Sequence, residues 1–346
     1  MELLKRLSEA CGISGYERPV REVIVDALKG HVDSVDVDHL GNVIAHKKGE
    51  GPVVMIAGHM DEIGFLVSHI EDAGFLRIQP VGGFDPVTLV AQRVDVHASD
   101  GPLIGCIGRK PIHILTEEER KKPVLLEDLF VDVGLPAETV REKVAIGDVV
   151  TLRQSYVEYG EVVSGKALDD RLGVYIGIEA MKRAKKLDCD VYFVATTQEE
   201  VGLRGAVVSG YSVNPDIAIA LDVCIAADTA GVTADRQVSK LGGGTAITLK
   251  DARGVWHPPL VQAMRQLAEE RKIPYQVIVP GRGGTDAAAM QLAREGSAAM
   301  ALAIPTRYVH SVVETVSVKD IEATIDLLAA VLETADSIDL SQSRTS

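Results

Sequence analysis

The run PVVMIAGHMD, residues 52–61, is apolar almost without a break until His59. A strand with one wet face alternates apolar and polar residues. An unbroken run of this length suits a strand buried on both faces, as in the middle of an α/β sheet. The same texture returns in VYFVATT (191–197), IAIALDV (217–223) and AAMALAIP (298–305). Helical patterns lie among these runs: DDRLGVYIGIEAMKRAKK (169–186), HPPLVQAMRQLAEERK (257–272), TDAAAMQLAREG (285–296) and VKDIEATIDLLAAVLETAD (318–336), with Asp320 near the N-terminal turn of the last. Alternation of this kind implies an α/β sheet with helices on both faces.

Upstream, residues 1–30 read as two helices separated by GISGYE. Short strands follow at Val35–Asp38 and Asn42–His46, joined by a turn at Leu40-Gly41. From about Phe65 to Val150 the texture changes. FLVSHI, GFLRIQP, RVDVHA, PLIGCIG, LFVDVG and GDVVTL are short strands closely spaced by Gly, Pro and Asp turns, with one modest helical stretch at Pro136–Val144. This segment reads as a small β-barrel-like module. The expected organisation is an α/β domain in two parts, 1–64 and 151–346, interrupted by the β-module at 65–150. A chain of 346 residues exceeds what a single core usually supports, which agrees.

Hydrophobic residues make up 46% and charged residues 25%, ordinary values for a globular protein with a sizeable core. Only the polar tail Ser341–Ser346 reads as disordered. The net charge of −14 repels phosphate backbones and argues against nucleic acid. It disfavours acidic peptides mildly and favours cationic ones. Cys11, Cys106, Cys189 and Cys224 are scattered, with no CxxC pair, and read as buried thiols of a reducing compartment. The start MELLKRLSEACGISGYE has no uninterrupted apolar core, and no stretch spans a membrane without charges. A cytoplasmic protein without a membrane partner is expected.

Ligands of open α/β sheets bind beyond the carboxyl ends of the strands. PVVMIAG is followed by His59 and Asp61, VYFVATT by Gln198-Glu199-Glu200, IAIAL by Asp222, and AAMALAIP, after a short loop, by His310. One polar strand end is unremarkable; four that all offer imidazole or carboxylate point to metal ligation. Asp169 and Asp170 open the long helix, where either could cap it or bind metal. Two histidines with three carboxylates suit a pair of divalent ions sharing one carboxylate. A bridging water then becomes a hydroxide near neutral pH and attacks a carbonyl. A further carboxylate must act as general base, and the Glu199-Glu200 pair supplies it if one glutamate ligates and the other does not.

AGHMDEIGF, KALDDRLG, TTQEEVGLRGA, ALDV, GRGGTDAAA and IPTRYVHSVVE occur in this order. Together they resemble the M42 family of metallo-aminopeptidases along nearly the whole chain, some of whose relatives have been labelled endoglucanases. The resemblance implies a phosphorylase/hydrolase-like mixed sheet interrupted by a PDZ-like β-barrel dimerisation domain. It implies dimers that assemble into tetrahedral dodecamers. It implies two divalent ions per subunit, zinc or cobalt, acting on peptides with a free N-terminus. His59 and Asp222 would hold one ion and Glu200 and His310 the other. Asp169 would bridge them through an unusual cis peptide to Asp170. Glu199 would be the general base, and Asp61 would orient His59; from the residues alone, Glu62 is an equal candidate for that task.

His69, His97 and His113 fall in the inserted module and read as surface or structural residues. His257, before Pro258-Pro259, reads as a helix-start residue. GRGGTDAAA offers a strand, a Gly-rich turn and a helix start, an arrangement that can cradle an anion; in the family it lines the substrate cleft. Arg282 is there either to meet an acidic side chain or peptide carboxylate, or as a solvent-facing arginine on a tight turn. A related two-metal deacylase or carboxypeptidase, and a paired-carboxylate glycoside hydrolase, are the alternatives in function. Side-chain preference is not legible in these motifs.

Overall fold

A computed structural model describes residues 1–341. The disorder expected of the polar tail falls mostly on residues 342–346, outside the described residues. Among the described residues, 11 strands form one mixed sheet. Its middle is built from the four apolar runs. Asp190–Thr196, Val53–His59, Ile217–Ile225 and Ala298–Arg307 lie side by side and parallel. Both faces of these strands are covered, which is why their sequences do not alternate. Val54, Met55, Ile56 and Ala57 are fully buried, as are Ile217, Ala218, Ile219 and Ala220.

One face carries the helix Leu168–Arg183 packed beside Val318–Leu332. The other carries Arg204–Val213 against Asp286–Gln291. The helix Leu168–Arg183 lies unusually close to the strand Val53–His59. A Cβ on Gly58 would come within 2.8 Å of the Gly173 carbonyl carbon, so glycine at that strand position lets the two backbones meet. This approach brings the start of the helix to the end of the strand.

The inserted segment closes on itself. Gly64–Ile70, Leu76–Val81, Phe130–Asp132, Gly101–Gly108, Arg93–Ala98 and Val149–Leu152 pair in that order around a closed barrel. Closure leaves no open sheet edge. The barrel encloses an apolar cluster of its own that includes Phe65, Leu76, Val94, Ile107 and Val150.

Several expectations need correction. The module has more helix than the single stretch expected: Ala137–Lys143 is joined by Pro86–Leu89 and Glu117–Lys121. The last is a single charged turn with no apolar face, held by a capping box between Thr116 and Glu119, so hydrophobic periodicity could not reveal it. The helix expected over 285–296 stops at Gln291, ahead of left-handed Arg294 and Gly296. The four cysteines are free, but only Cys189 and Cys224 are buried; Cys11 is half-buried and Cys106 exposed. Among the described residues, no helix is long and apolar enough to cross a membrane.

Candidate metal centre and cleft

Because the four central strands run the same way, their carboxyl ends share one edge. His59 is the last residue of its strand, Glu199 and Glu200 follow Thr196, and His310 follows Arg307. Asp222 sits within Ile217–Ile225 rather than beyond its end, since that strand continues past the apolar run that ends at Leu221. Asp169 arrives from the start of the helix across Gly58. Two groups of donors result, His59 with Asp169 and Asp222, and Asp169 with Glu200 and His310; within each, the ligand atoms lie within 4.8 Å of one another.

Asp169 belongs to both groups and divides its oxygens between them. Its Oδ1 is 3.1 Å from His59 Nε2 and its Oδ2 is 3.2 Å from His310 Nε2. His310 Nε2 is also 3.2 Å from Glu200 Oε1. Two ligand atoms that share one tetrahedral ion at ~2.0–2.1 Å stand ~3.3 Å apart. The spacing and the imidazole–carboxylate chemistry therefore fit a pair of divalent cations.

The adjacent aspartates have different tasks. Neither is helical, with φ/ψ of −79/106 at Asp169 and −119/40 at Asp170, and the peptide bond between them is cis. Asp170 is the cap: Oδ1 accepts from the Gly173 amide at 2.9 Å and Oδ2 from the His59 amide at 3.1 Å. Asp169 is left free to face the two histidines.

Asp61, not Glu62, lies beside His59. The His59 Nδ1 is 3.1 Å from the Asp61 carbonyl oxygen and 3.5 Å from its Oδ1, leaving Nε2 toward the donor group. The same carboxylate accepts from the amides of Glu199 at 3.0 Å and Glu200 at 3.2 Å, and from Ser14 Oγ at 2.6 Å. Glu62 turns away to Lys166 Nζ at 2.6 Å and the fully buried Arg171 at 3.6 Å.

Glu314 was not singled out from the sequence. Its Oε2 accepts from the Asp169 amide at 3.0 Å and its Oε1 from the His310 amide at 2.8 Å. It lies at the end of the quoted IPTRYVHSVVE segment, yet nothing in its spacing distinguishes it from an ordinary strand-starting glutamate.

Burial dominates the electrostatics. It pushes the carboxyls of Glu199, Asp222 and Asp170 well above the usual range, with neighbouring carboxylates adding to the effect. Glu314 is pushed up to about 8 by burial and the Asp169 charge. Burial works against a charged imidazole, but hydrogen bonds to Asp169 and Glu200 carry His310 up to about 11. His59 rises in the same way against burial, through Asp169 and Asp61. Asp169, despite its burial, is held below the usual range by His310 and His59. So much negative charge in so little water suits bound cations.

A cleft of about 610 Å³ opens from the donor groups, and the 281–284 loop lines it. The expected anion cradle is already occupied: Asp251 Oδ2 accepts from the Thr285 amide at 3.0 Å, and its Oδ1 accepts from the amides of Arg253 and Gly254. Arg282 is exposed on the cleft wall. On the barrel side, a Cβ on Gly83 would lie 3.7 Å from His310 Nδ1 and one on Gly82 would lie 3.5 Å from Glu200 Cβ, so the barrel's 82–83 turn lies beside these two residues. His257 caps the helix Pro258–Arg271, His97 meets Thr151 Oγ1 at 2.9 Å, and His69 and His113 are exposed.

Known proteins agree with this architecture. The family model described as M42 glutamyl aminopeptidase matches residues 41–327. A lysyl aminopeptidase of Pyrococcus furiosus is 38% identical, covering 96% of both chains. The structure of an aminopeptidase from Desulfurococcus kamchatkensis superimposes with a TM-score of 0.93 at 40% identity, covering 99% of this chain and 98% of that one. The TET1 peptidase of Pyrococcus horikoshii, titled as assembling into a tetrahedron or a large octahedral shell, gives 0.85 at 36% identity, covering 96% and 98%. The class defined by fold and likeness is a peptidase of the aminopeptidase type. Within it, the chain belongs to the M42 family.

Asp61→Asn leaves one acceptor oxygen where Glu199, Glu200 and Ser14 all donate, and it removes the charge beside His59. Affinity for zinc, measured by competition with a chromogenic chelator, is expected to fall about 10–100-fold. A change of less than twofold would show that Asp61 does not organise the donors.

Proposed function

We propose that this chain hydrolyses the first peptide bond of substrates with a free amino terminus. His59, Asp169 and Asp222 would hold one divalent ion, and Asp169, Glu200 and His310 a second. The observation that carries this reading is Asp169, which gives one oxygen to each histidine. Zinc, cobalt and manganese all suit such N/O donors. When bound, ions of this kind polarise a carbonyl and lower the pKa of water.

Glu199 has the position of a general base. It belongs to neither donor group, yet its Oε2 lies 3.9 Å from His59 Nε2 and it lines the cleft. Its carboxylate would take a proton from the attacking water and deliver it to the departing amine nitrogen. Burial, which raises its pKa, brings it toward the range where such transfers are efficient. The surplus of carboxylates attracts the protonated amino terminus of a peptide. A glycosidase built on paired carboxylates leaves both histidines without a task.

Glu199→Gln keeps the shape and removes the base. Zinc content should stay at the wild-type level while kcat on leucine p-nitroanilide falls about 10²–10⁴-fold. Turnover within a factor of ten would remove Glu199 from this role. Chelation of the wild-type enzyme should abolish activity; activity that survives complete metal removal refutes the metal reading.

The cleft wall beyond the donors bears on side-chain preference. Val223, Ile225, Val238, Ala301, Ala303 and Val309 line it. Asp251 is engaged by backbone amides on both oxygens. A lysine ammonium would lose water there without a free carboxylate at this part of the wall, so a neutral aliphatic residue suits it better than a cationic one; Arg282, exposed on the same wall, leaves an acidic side chain a partner. In a panel of aminoacyl p-nitroanilides, kcat/KM for leucine should exceed that for lysine at least about tenfold, with N-acetyl-leucine inert. A lysine optimum overturns this preference, and cleavage of the acetylated substrate argues for a deacylase.

The barrel supplies the surface for self-association. Val87, Ile104, Ile112, Ile114 and Ile146 are each more than half exposed on this module, an apolar display that suits an interface. With metal bound, light scattering should give a dimer or a larger closed assembly; a monomer at micromolar concentration contradicts this.

A further inference from the structure

We infer that Glu314 is the positioning residue that fixes the second donor group, a role that rests on the two-ion reading above. Glu314 is only 2% exposed and opens the strand Glu314–Ser317, whose register places it opposite Gly165. It therefore stands on a rigid element between two irregular segments, one leading to Asp169 and one to His310. Both segments need an external hold. Asp169 departs from helical geometry, and Tyr308 and His310 have φ of +60° and +61°, a left-handed conformation that residues other than glycine adopt reluctantly. One carboxylate satisfies an amide from each, at 3.0 and 2.8 Å.

The chemistry of the side chain is specific. Two donors converge on one planar group, so both of its oxygens must be acceptors. Glutamine has one acceptor, and its amide nitrogen would face one of the two N–H groups. The spacing of Asp169 Oδ2, His310 Nε2 and Glu200 Oε1 then depends on Glu314. Two of the three donors of the second group, Asp169 and His310, take an amide hold from Glu314, whereas in the first group only the shared Asp169 does and His59 has further supports in Asp61 and Asp170. Loss of Glu314 should therefore weaken one ion much more than the other.

The test is metal content by mass spectrometry after dialysis against a weak chelator, together with zinc titration of the apo protein. Wild type should retain two ions per chain. Glu314→Gln should retain close to one, with the weaker step shifted about 10–100-fold. Asp320→Asn is the control. Asp320 is another buried carboxylate that accepts two amides, from Gly242 at 2.8 Å and Gly244 at 2.7 Å, but neither bears a donor residue. It should lower the melting temperature and leave both ions in place. If Glu314→Gln fails to fold, Glu314→Asp, which retains the charge but cannot span both amides, should show the same selective loss. Two ions retained in the Glu314 variant that folds, or equal loss in the Asp320 variant, overturns the inference. Fewer than two ions in wild type would instead refute the underlying two-ion reading.

Discussion

Gathering carboxylates at one poorly hydrated sheet edge is the constraint on which the rest of the structure turns. Left alone they repel one another and lose their hydration, and each must be compensated. The fold does this by dividing them into two populations. Asp61, Asp170 and Glu314 face outward from the centre and receive backbone N–H groups. Asp169, Glu200 and Asp222 face inward, toward two imidazoles and the space a cation would take. The outer set gives the inner set its shape, because the amides it receives belong to the inner set's own segments.

The backbone layers follow from the same constraint. Parallel strands bring four carboxyl ends to one line, and Gly58 admits the helix that delivers Asp169. A bulkier residue at position 58 would separate the helix from the strand and move the shared carboxylate out of reach of one histidine.

Much of this was legible in the sequence. Unbroken apolar runs marked the four central strands, since burial on both faces removes the alternation of a half-exposed strand. The donors stood beside those runs because strand ends define the edge. What remained hidden depended on contacts between distant segments. Glu314 acts through backbone amides of other elements, and so does Asp170 toward the His59 amide beyond the helix cap its position allowed; no local pattern records which distant amide a carboxylate will meet. The separate roles of Asp61 and Glu62 were hidden for the same reason: their directions are opposite because neighbouring residues at a strand end point apart. The turn Glu117–Lys121 escaped because a capped charged helix carries no hydrophobic period. The cleft wall is drawn from several separate segments, so its apolar stretch emerges only on assembly.

The turn at Gly82-Gly83 has an implication for anyone who would rebuild this protein. A barrel that leaves and re-enters its host near one place invites treatment as a cassette, to be excised or exchanged for a module with different pairing habits. Here the cassette carries part of the wall of the centre, because its turn lies beside Glu200 and His310. A graft that matched only the entry and exit points would reshape that wall. The transplantable unit is the barrel together with its two-glycine contact, and chimaeras should be cut and joined accordingly.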